Sequence, residues 1–513
     1  MDLQLSSFYV ISSFVLSMFF LVNLKRRYKT TDGFVLRLPP GPRKLPVLGN
    51  LHQLIGSLPH QMLRNLALRH GSLMHLQLGE VSTIIVSSAD IAKEIMKTHD
   101  IVFSERPYFI ASRIMSYDSS NIVFAPYGDY WRQLRKICVQ ELLSVKRVKS
   151  FKSMREEEVV NLIEKIYEQA GQTINVSSLI FSWTYGVTAR AVFGRKCARQ
   201  DEFVKLTTET IKLSSGFDIG DMFPSVKILS MVSGLRPKLE KLHQKSDEIL
   251  QEIIGDHQPR AGEDQTSFKD EQEDLVDVLL RVRRGGDLEI PLTDDRIKAV
   301  LFDMFTAGSE TSSTAVEWAL SEMLKSPSIM RRAQEEVRHV FNTKGLMDET
   351  SLEELSYLKA VIKETLRLHP PLPLLVPRES SERCEINGFE IPKKTKVIVN
   401  AFAIGRDPCS WTDPETFSPE RFINAKVDYK GTDFEYIPFG AGRRICPGVP
   451  FAMANTELLL AQMLFHFDWE LPKGKHGDEL DMVEAAGFSV RRKNDLLLIP
   501  IPYNHQALHC HCP

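Results

Sequence analysis

The stretch from Phe439 to Gly448, Phe-Gly-Ala-Gly-Arg-Arg-Ile-Cys-Pro-Gly, constrains this chain more than any other. Gly440, Gly442 and Gly448 open backbone conformations closed to residues with a Cβ, so the main chain can pass tightly beside a large flat group. Arg443 and Arg444 set fixed positive charge near Cys446, and Pro447 stiffens the turn behind it. A sulfur kept ionised needs such charge together with backbone N–H donors. The apolar run Val449–Leu464 predicts a helix whose positive end faces that sulfur. The plain alternative is a free cysteine buried as a small hydrophobe, the usual fate of a lone intracellular Cys.

A chain of 513 residues has room for about two to four domains. No Gly/Ser-rich linker, repeat or low-complexity block divides it, which predicts one large domain over residues 31–513. A net charge of −2 gives no footprint for nucleic acid. Seven scattered cysteines, an odd number, argue against a disulfide framework and for a reducing compartment.

The N-terminus departs from this soluble pattern. Leu3–Leu24, about 22 residues without a charge, is long enough to span a bilayer as a helix. Lys25, Arg26, Arg27 and Lys29 follow at once, so the positive-inside rule leaves the rest of the chain in the cytosol. A cleaved signal peptide fits less well, because the basic cluster lies after the apolar run and no clear cleavage site precedes it. Residues 1–30 are read as a membrane anchor with a basic flank, followed by the stiff Leu38-Pro39-Pro40-Gly41-Pro42.

Leu73–Leu78 and Ser82–Val86 around Gly79-Glu80 predict a hairpin; a loop is expected from Ser104 to Val123. Trp131 and Arg135 lie one turn apart on one helix face. Thr293 is an N-cap followed by Asp294 and Asp295, and the helical pattern then runs to about Lys325, about 45 Å of rod. In its middle, Ala307, Gly308 and Thr311 share a face, beside Glu310. A mid-helix glycine costs around 1 kcal/mol against alanine, so it needs a reason: close approach of a bound group is one, and a helix–helix packing contact with Thr311 bonded back to its own helix is the plain alternative. Strands are expected over Ile386–Ile391 and Lys396–Asn400, with Asn387-Gly388 as a turn. Alternating His509, Cys510, His511 and Cys512 have no spaced partner pair and carry little as a metal site.

Phe439-x-x-Gly442-x-Arg444-x-Cys446-x-Gly448 resembles the haem-binding signature of the cytochrome P450 superfamily, the haem-thiolate monooxygenases. Ala307-Gly308-Ser309-Glu310-Thr311, Glu364-Thr365-Leu366-Arg367 and Pro419-Glu420-Arg421-Phe422 follow in the order of that family's other motifs. Together with the Pro-rich hinge, these resemble the plant microsomal members that oxidise specialised metabolites. The resemblance implies a mainly α fold with a smaller β region and a long central helix over a b-type haem. Cys446 would be the axial ligand of the iron. Trp131, Arg135, Arg378 and Arg444 would hold haem carboxylates, and Phe439, Gly442, Ala307 and Gly308 would line the haem. Thr311 and Glu310 would deliver protons. Glu364, Arg367 and Arg421 would form a structural ion network. Phe103, Ile110, Phe305, Leu372, Leu375, Val376 and Phe488 would line the substrate pocket.

The chain has no nucleotide-binding glycine loop of its own, so the resemblance implies electrons from an NADPH-dependent flavoprotein reductase. Arg132, Lys136 and Arg443 are its expected docking residues, and the endoplasmic reticulum membrane the expected location. The function expected is insertion of one oxygen atom from O2 into a hydrophobic metabolite, terpenoid before alkaloid or flavonoid. A haem-thiolate isomerase or dehydratase working on peroxides without a reductase is the alternative; such relatives typically lack the acid–alcohol pair that Glu310-Thr311 keeps. A haem sensor or carrier would have no use for that pair.

Overall fold

The computed structural model describes residues 36–214, 217–258, 273–286, 288–344, 348–472 and 477–503. The expected anchor and the His/Cys tail lie outside these residues. Among the described residues no helix is long and apolar enough to cross a membrane.

The frame is set by α1 (Asp129–Ile137), α2 (Val176–Phe193), α3 (Asp294–Lys325), α4 (Pro327–Lys344), α5 (Ser356–Leu368) and α6 (Val449–His466). α3 is the axle, 32 residues long. The Thr293 side chain accepts from the Arg296 N–H at its start, satisfying a donor the helix leaves orphaned. Pro327 cannot continue the helix and instead opens α4. α2, α5 and α6 all pack on α3. One core forms from Val316, Leu320 and Met323 of α3 with Val361 of α5 and Leu459 of α6. A second lies on its other side, around Phe193, Phe203, Ile249 and Phe305. Trp318 is buried, its indole stacked on His369 at 4.2 Å and donating to the Val490 carbonyl at 3.1 Å.

The β region is small. β1 (Leu73–Leu78) and β2 (Val81–Val86) form the expected antiparallel hairpin, Leu73 facing Val86. A two-residue β3 (Ile174–Asn175) belongs to a separate sheet. β4 (Arg378–Glu379), the hairpin of β5 (Cys384–Ile386) and β6 (Phe389–Ile391), and β7 (Lys396–Val399) come next. β7 runs parallel to β2 and antiparallel to β4, giving the order β1-β2-β7-β4. Asn387 and Gly388 have φ of 47° and 74°, the left-handed pair that a two-residue hairpin turn needs. β8 (Phe467–Glu470) and β9 (Leu497–Pro502) complete the second sheet in the order β3-β9-β8. The stretch 104–123, expected as loop throughout, contains one helical segment, Ile110–Met115, held at its start by the Asp221 carboxylate on the Ile110 N–H at 2.8 Å.

Candidate functional site

The glycine-rich loop folds back on itself before α6. The Cys446 N–H donates to the Phe439 carbonyl at 3.0 Å, and the sulfur opens onto a large internal cavity. Gly442 has φ of 68°, and a Cβ there would lie 2.2 Å from the Met96 carbonyl oxygen and 2.6 Å from Asp100 Oδ1. Gly442→Ala is therefore expected to cost more than the about 1–2 kcal/mol of a left-handed L-residue alone. Haem content per mole of purified protein measures it, and full haem loading in that variant would contradict this geometry.

Asp100, which the sequence did not mark, is the anchor of the loop. Its carboxylate accepts from the Arg443 N–H at 2.9 Å, Arg443 Nη1 at 3.1 Å and Arg378 Nη1 at 2.9 Å. Arg378 Nη2 reaches the Ala441 carbonyl at 2.7 Å. Arg378 thus braces the loop as well as facing the cavity.

Cationic groups gather along one edge of the cavity. Arg444 donates to the carbonyls of Ser104 and Ala125 at 2.9 and 2.7 Å and lies 4.2 Å over the Trp131 ring. Trp131 donates its indole N–H to the Ile122 carbonyl at 3.0 Å, and Arg135 sits 5.9 Å from the same ring. Arg106 is a further member, missed by the sequence reading, bonded to Val123, Val376 and Pro377 carbonyls at 2.8–2.9 Å. Burial first, then repulsion from Arg444 and Arg378, lowers the Arg106 guanidinium well below its usual range. The same two causes, burial and Arg378, push Arg444 down to about 9. Such a cluster is stable only opposite anions. Arg444 Nη1 is buried with no hydrogen-bond partner among the described residues. A thiol donor at the cavity floor and a cationic rim with unused donors fit a haem, with its iron on Cys446 and its carboxylates at the rim. Burial raises the Cys446 thiol, while the Gly448 N–H and the Arg135 charge favour its ionised form.

α3 forms the opposite wall. Ala307 is exposed to the cavity although Phe305 and Ser309 beside it are buried. Gly308 also lines the space, but its absent Cβ would lie 3.3 Å from Thr188 Cγ2 and 3.5 Å from Phe451 Cε1. Contact with α2 and α6, rather than room for a bound group alone, accounts for this glycine. Thr311 lines the cavity and donates its hydroxyl to the Ala307 carbonyl at 2.8 Å. Glu310 is 4 % exposed, so it is no surface carboxylate. Ser489 donates to its Oε1 at 3.0 Å, and burial raises its pKa above the usual carboxylate range against the pull of Arg491 and Ser489.

Leu372, Leu375, Val376 and Phe488 line the cavity, joined by Phe109, Phe124, Met115, Ile122 and Phe302. Phe103, Ile110 and Phe305 do not line it. Phe103 packs beneath the mixed sheet with Ile84 and Val397, and Ile110 turns into the second core. Phe305 stacks on Phe203 at 4.7 Å, on the far face of α3. Apolar periodicity marks a residue as buried without marking which side of the wall it faces.

Behind the loop, Glu364 and Arg367 of α5 form a two-bond pair at 2.7 and 2.8 Å, both fully buried. Arg421 joins Glu364 at 2.9 Å. Of the expected docking residues, Arg132 pairs with Asp129, Arg443 with Asp100, and Lys136 is exposed on α1.

The cytochrome P450 family model matches residues 39–499. Desmethyl-deoxy-podophyllotoxin synthase of Sinopodophyllum hexandrum is 56% identical over 465 residues, 90% of this chain and 92% of its own. Tabersonine 6,7-epoxidase isoform 1 of Catharanthus roseus is 52% identical over 498 residues, 97% and 98% of the two chains. Premnaspirodiene oxygenase of Hyoscyamus muticus is 49% identical over 496 residues, 97% and 99%. Among solved structures, a zebra fish cytochrome P450 with progesterone overlays with a TM-score of 0.74 at 23% identity, covering 87% of this chain and 100% of its own. That overlay carries the fold.

Proposed function

This chain belongs to the cytochrome P450 family, and from that premise we propose that it is a membrane-bound haem-thiolate monooxygenase that hydroxylates or epoxidises a hydrophobic plant specialised metabolite. The observation that carries the reading is the convergence of Cys446, the arginine rim, the Ala307–Thr311 face and an apolar wall on one cavity.

Bound haem supplies O2 activation, and a thiolate ligand raises the electron density that favours O–O cleavage. Cys446 would hold the iron, and Arg444, Arg135, Arg106, Arg378 and Trp131 would orient the carboxylates by charge and fixed donor geometry. Phe109, Phe124 and Phe488 exclude water and press the substrate towards α3. Thr311 donates its hydroxyl hydrogen bond to the Ala307 carbonyl, which leaves its oxygen lone pairs free to accept from, and so hold in place, a water that carries the proton. Glu310, kept protonated by burial to higher pH than a surface acid, is the proton source next to it. Overall, substrate C–H or C=C, O2, two electrons and two protons give oxidised substrate and water. The electrons come from an NADPH–cytochrome reductase docking near Lys136, with residues 1–30 anchoring the chain in the endoplasmic reticulum and residues 31–513 in the cytosol.

The apolar wall and the relatives' printed substrates favour a terpenoid or an alkaloid. The isomerase alternative is disfavoured by the presence of Glu310 and Thr311. Microsomes carrying this chain and a reductase, given isotope-labelled O2 and a panel of such metabolites, should form a product with one labelled oxygen only when NADPH is present. Turnover of peroxides without reductase, and of nothing with it, would support the alternative.

Thr311→Ala is expected to keep haem, substrate binding and NADPH consumption while product per NADPH falls by about 10²-fold, the low end for a lost proton-transfer group. Hydrogen peroxide should account for the missing electrons. Wild-type yield per NADPH would make Thr311 a helix-packing residue.

A further inference from the structure

Substrate wall and proton source meet in one short segment near the end of the chain. Phe488 lines the cavity and its ring lies 6.5 Å from that of Phe124, another lining residue. The next residue, Ser489, is 7 % exposed and donates to Glu310 Oε1 at 3.0 Å. Val490 then fastens the segment at two points, its N–H on the Pro371 carbonyl at 2.9 Å and its own carbonyl on the Trp318 indole at 3.1 Å. Trp318 is on α3, two turns beyond Glu310, so the segment is pinned to the helix that carries the acid. Glu310 Oε2 is buried without a hydrogen-bond partner among the described residues, so the serine is what orients the carboxyl.

We propose that Ser489 is a positioning residue for Glu310, through which the packing of substrate against Phe488 sets the orientation of the proton donor. This rests on the monooxygenase reading of the site. The physical basis is that a hydroxyl with a single strong acceptor fixes the rotamer of a buried carboxyl, whose alternative orientations would each leave a polar atom unpaired. Phe488 and Ser489 are consecutive and both precede the Val490 anchor points, so a substrate that forces the backbone at Phe488 to move shifts the hydroxyl as well. An ill-fitting substrate would then find the acid misplaced, and its electrons would leave as hydrogen peroxide.

The test uses the full-length haem-loaded protein and its Ser489→Ala, Ser489→Thr and Glu310→Gln variants. The carboxylic-acid C=O band lost in Glu310→Gln identifies Glu310 in pH-difference infrared spectra, independently of turnover. A donated hydrogen bond stabilises the ionised form, so Ser489→Ala should move the titration midpoint of that band to higher pH and the band itself to higher wavenumber. Ser489→Thr, which keeps the hydroxyl, should restore both. With reductase and NADPH, Ser489→Ala should raise the hydrogen peroxide share of consumed electrons several-fold, and Ser489→Thr should bring it back. An unchanged Glu310 band and midpoint in Ser489→Ala would overturn the proposal. So would a wild-type peroxide share in Ser489→Ala when Glu310→Gln raises it. A shifted band together with a wild-type peroxide share in Glu310→Gln would uphold the Ser489 contact and overturn Glu310 as the proton source.

Discussion

Cys446→Ala is expected to abolish oxygenation and to remove the thiolate-type carbon monoxide spectrum. The sulfur is the thiol donor that lines the cavity, near the arginine rim and the N-terminus of α6. Removing it leaves Arg444, Arg135 and Trp131 in place, so some haem should still enter, held by its carboxylates alone. Its reduced carbon monoxide complex would then absorb as one with a neutral ligand, and substrate oxidation should fall to background. Cys409, exposed on a loop and beside Asp407, provides the control, because Cys409→Ala touches neither cavity nor core. A thiolate-type spectrum surviving in Cys446→Ala would remove the cysteine from the iron.

Glu364→Ala should have the next largest effect, on stability rather than on chemistry. The carboxylate accepts from Arg367 Nε and Nη2, from Arg421 Nε at 2.9 Å and from the Ser418 N–H at 2.8 Å. Deleting it strands the Arg367 guanidinium, 1 % exposed, inside the protein. Breaking one partner out of a buried pair costs about 3–5 kcal/mol, a large part of the about 5–15 kcal/mol that holds a domain together. Arg367 also donates to the Gly405, Pro414 and Thr416 carbonyls at 2.5, 2.7 and 3.1 Å. Strain there would pass directly into the segments that lead to the cysteine loop. The variant should accumulate poorly, and what folds should unfold at lower urea and lose haem in the same transition. Arg421→Ala, partly open to solvent and with the Glu364–Arg367 pair left intact, should cost less. An equal urea midpoint for wild type and Glu364→Ala would mean the trio is incidental to the fold.

Several features were legible in the residues because they depend on near neighbours in the chain. The Thr293 cap, the run to Lys325 and the break before Pro327 define α3 through local hydrogen bonding and helix periodicity. Asn387-Gly388 specifies its hairpin because only such residues accept two consecutive left-handed conformations cheaply. The spacing of Gly442, Arg444, Cys446 and Gly448 is legible for the same reason: the loop needs a positive φ and a ligand within a few residues. Even there the sequence left open what a Cβ at Gly442 would strike, since Met96 and Asp100 are more than 300 residues away.

Where the outcome depended on which distant surfaces meet, sequence alone was silent. Asp100 and Arg106 carry no local mark, yet one anchors the cysteine loop and the other joins the cationic rim. Phe103, Ile110 and Phe305 are as apolar as Phe109 and Phe488, but packing sends the first three into cores and the other two to the cavity. The Glu364–Arg367 spacing was visible as an ordinary i, i+3 pair, worth a few tenths of a kcal/mol on a surface; only burial turns it into a strong constraint. The hydroxyl of Ser489 meets Glu310 across 179 residues. Local sequence determines backbone preference and hydrophobic period, whereas solvent exclusion and side-chain partnership belong to the assembled fold, and these set the electrostatics of the site.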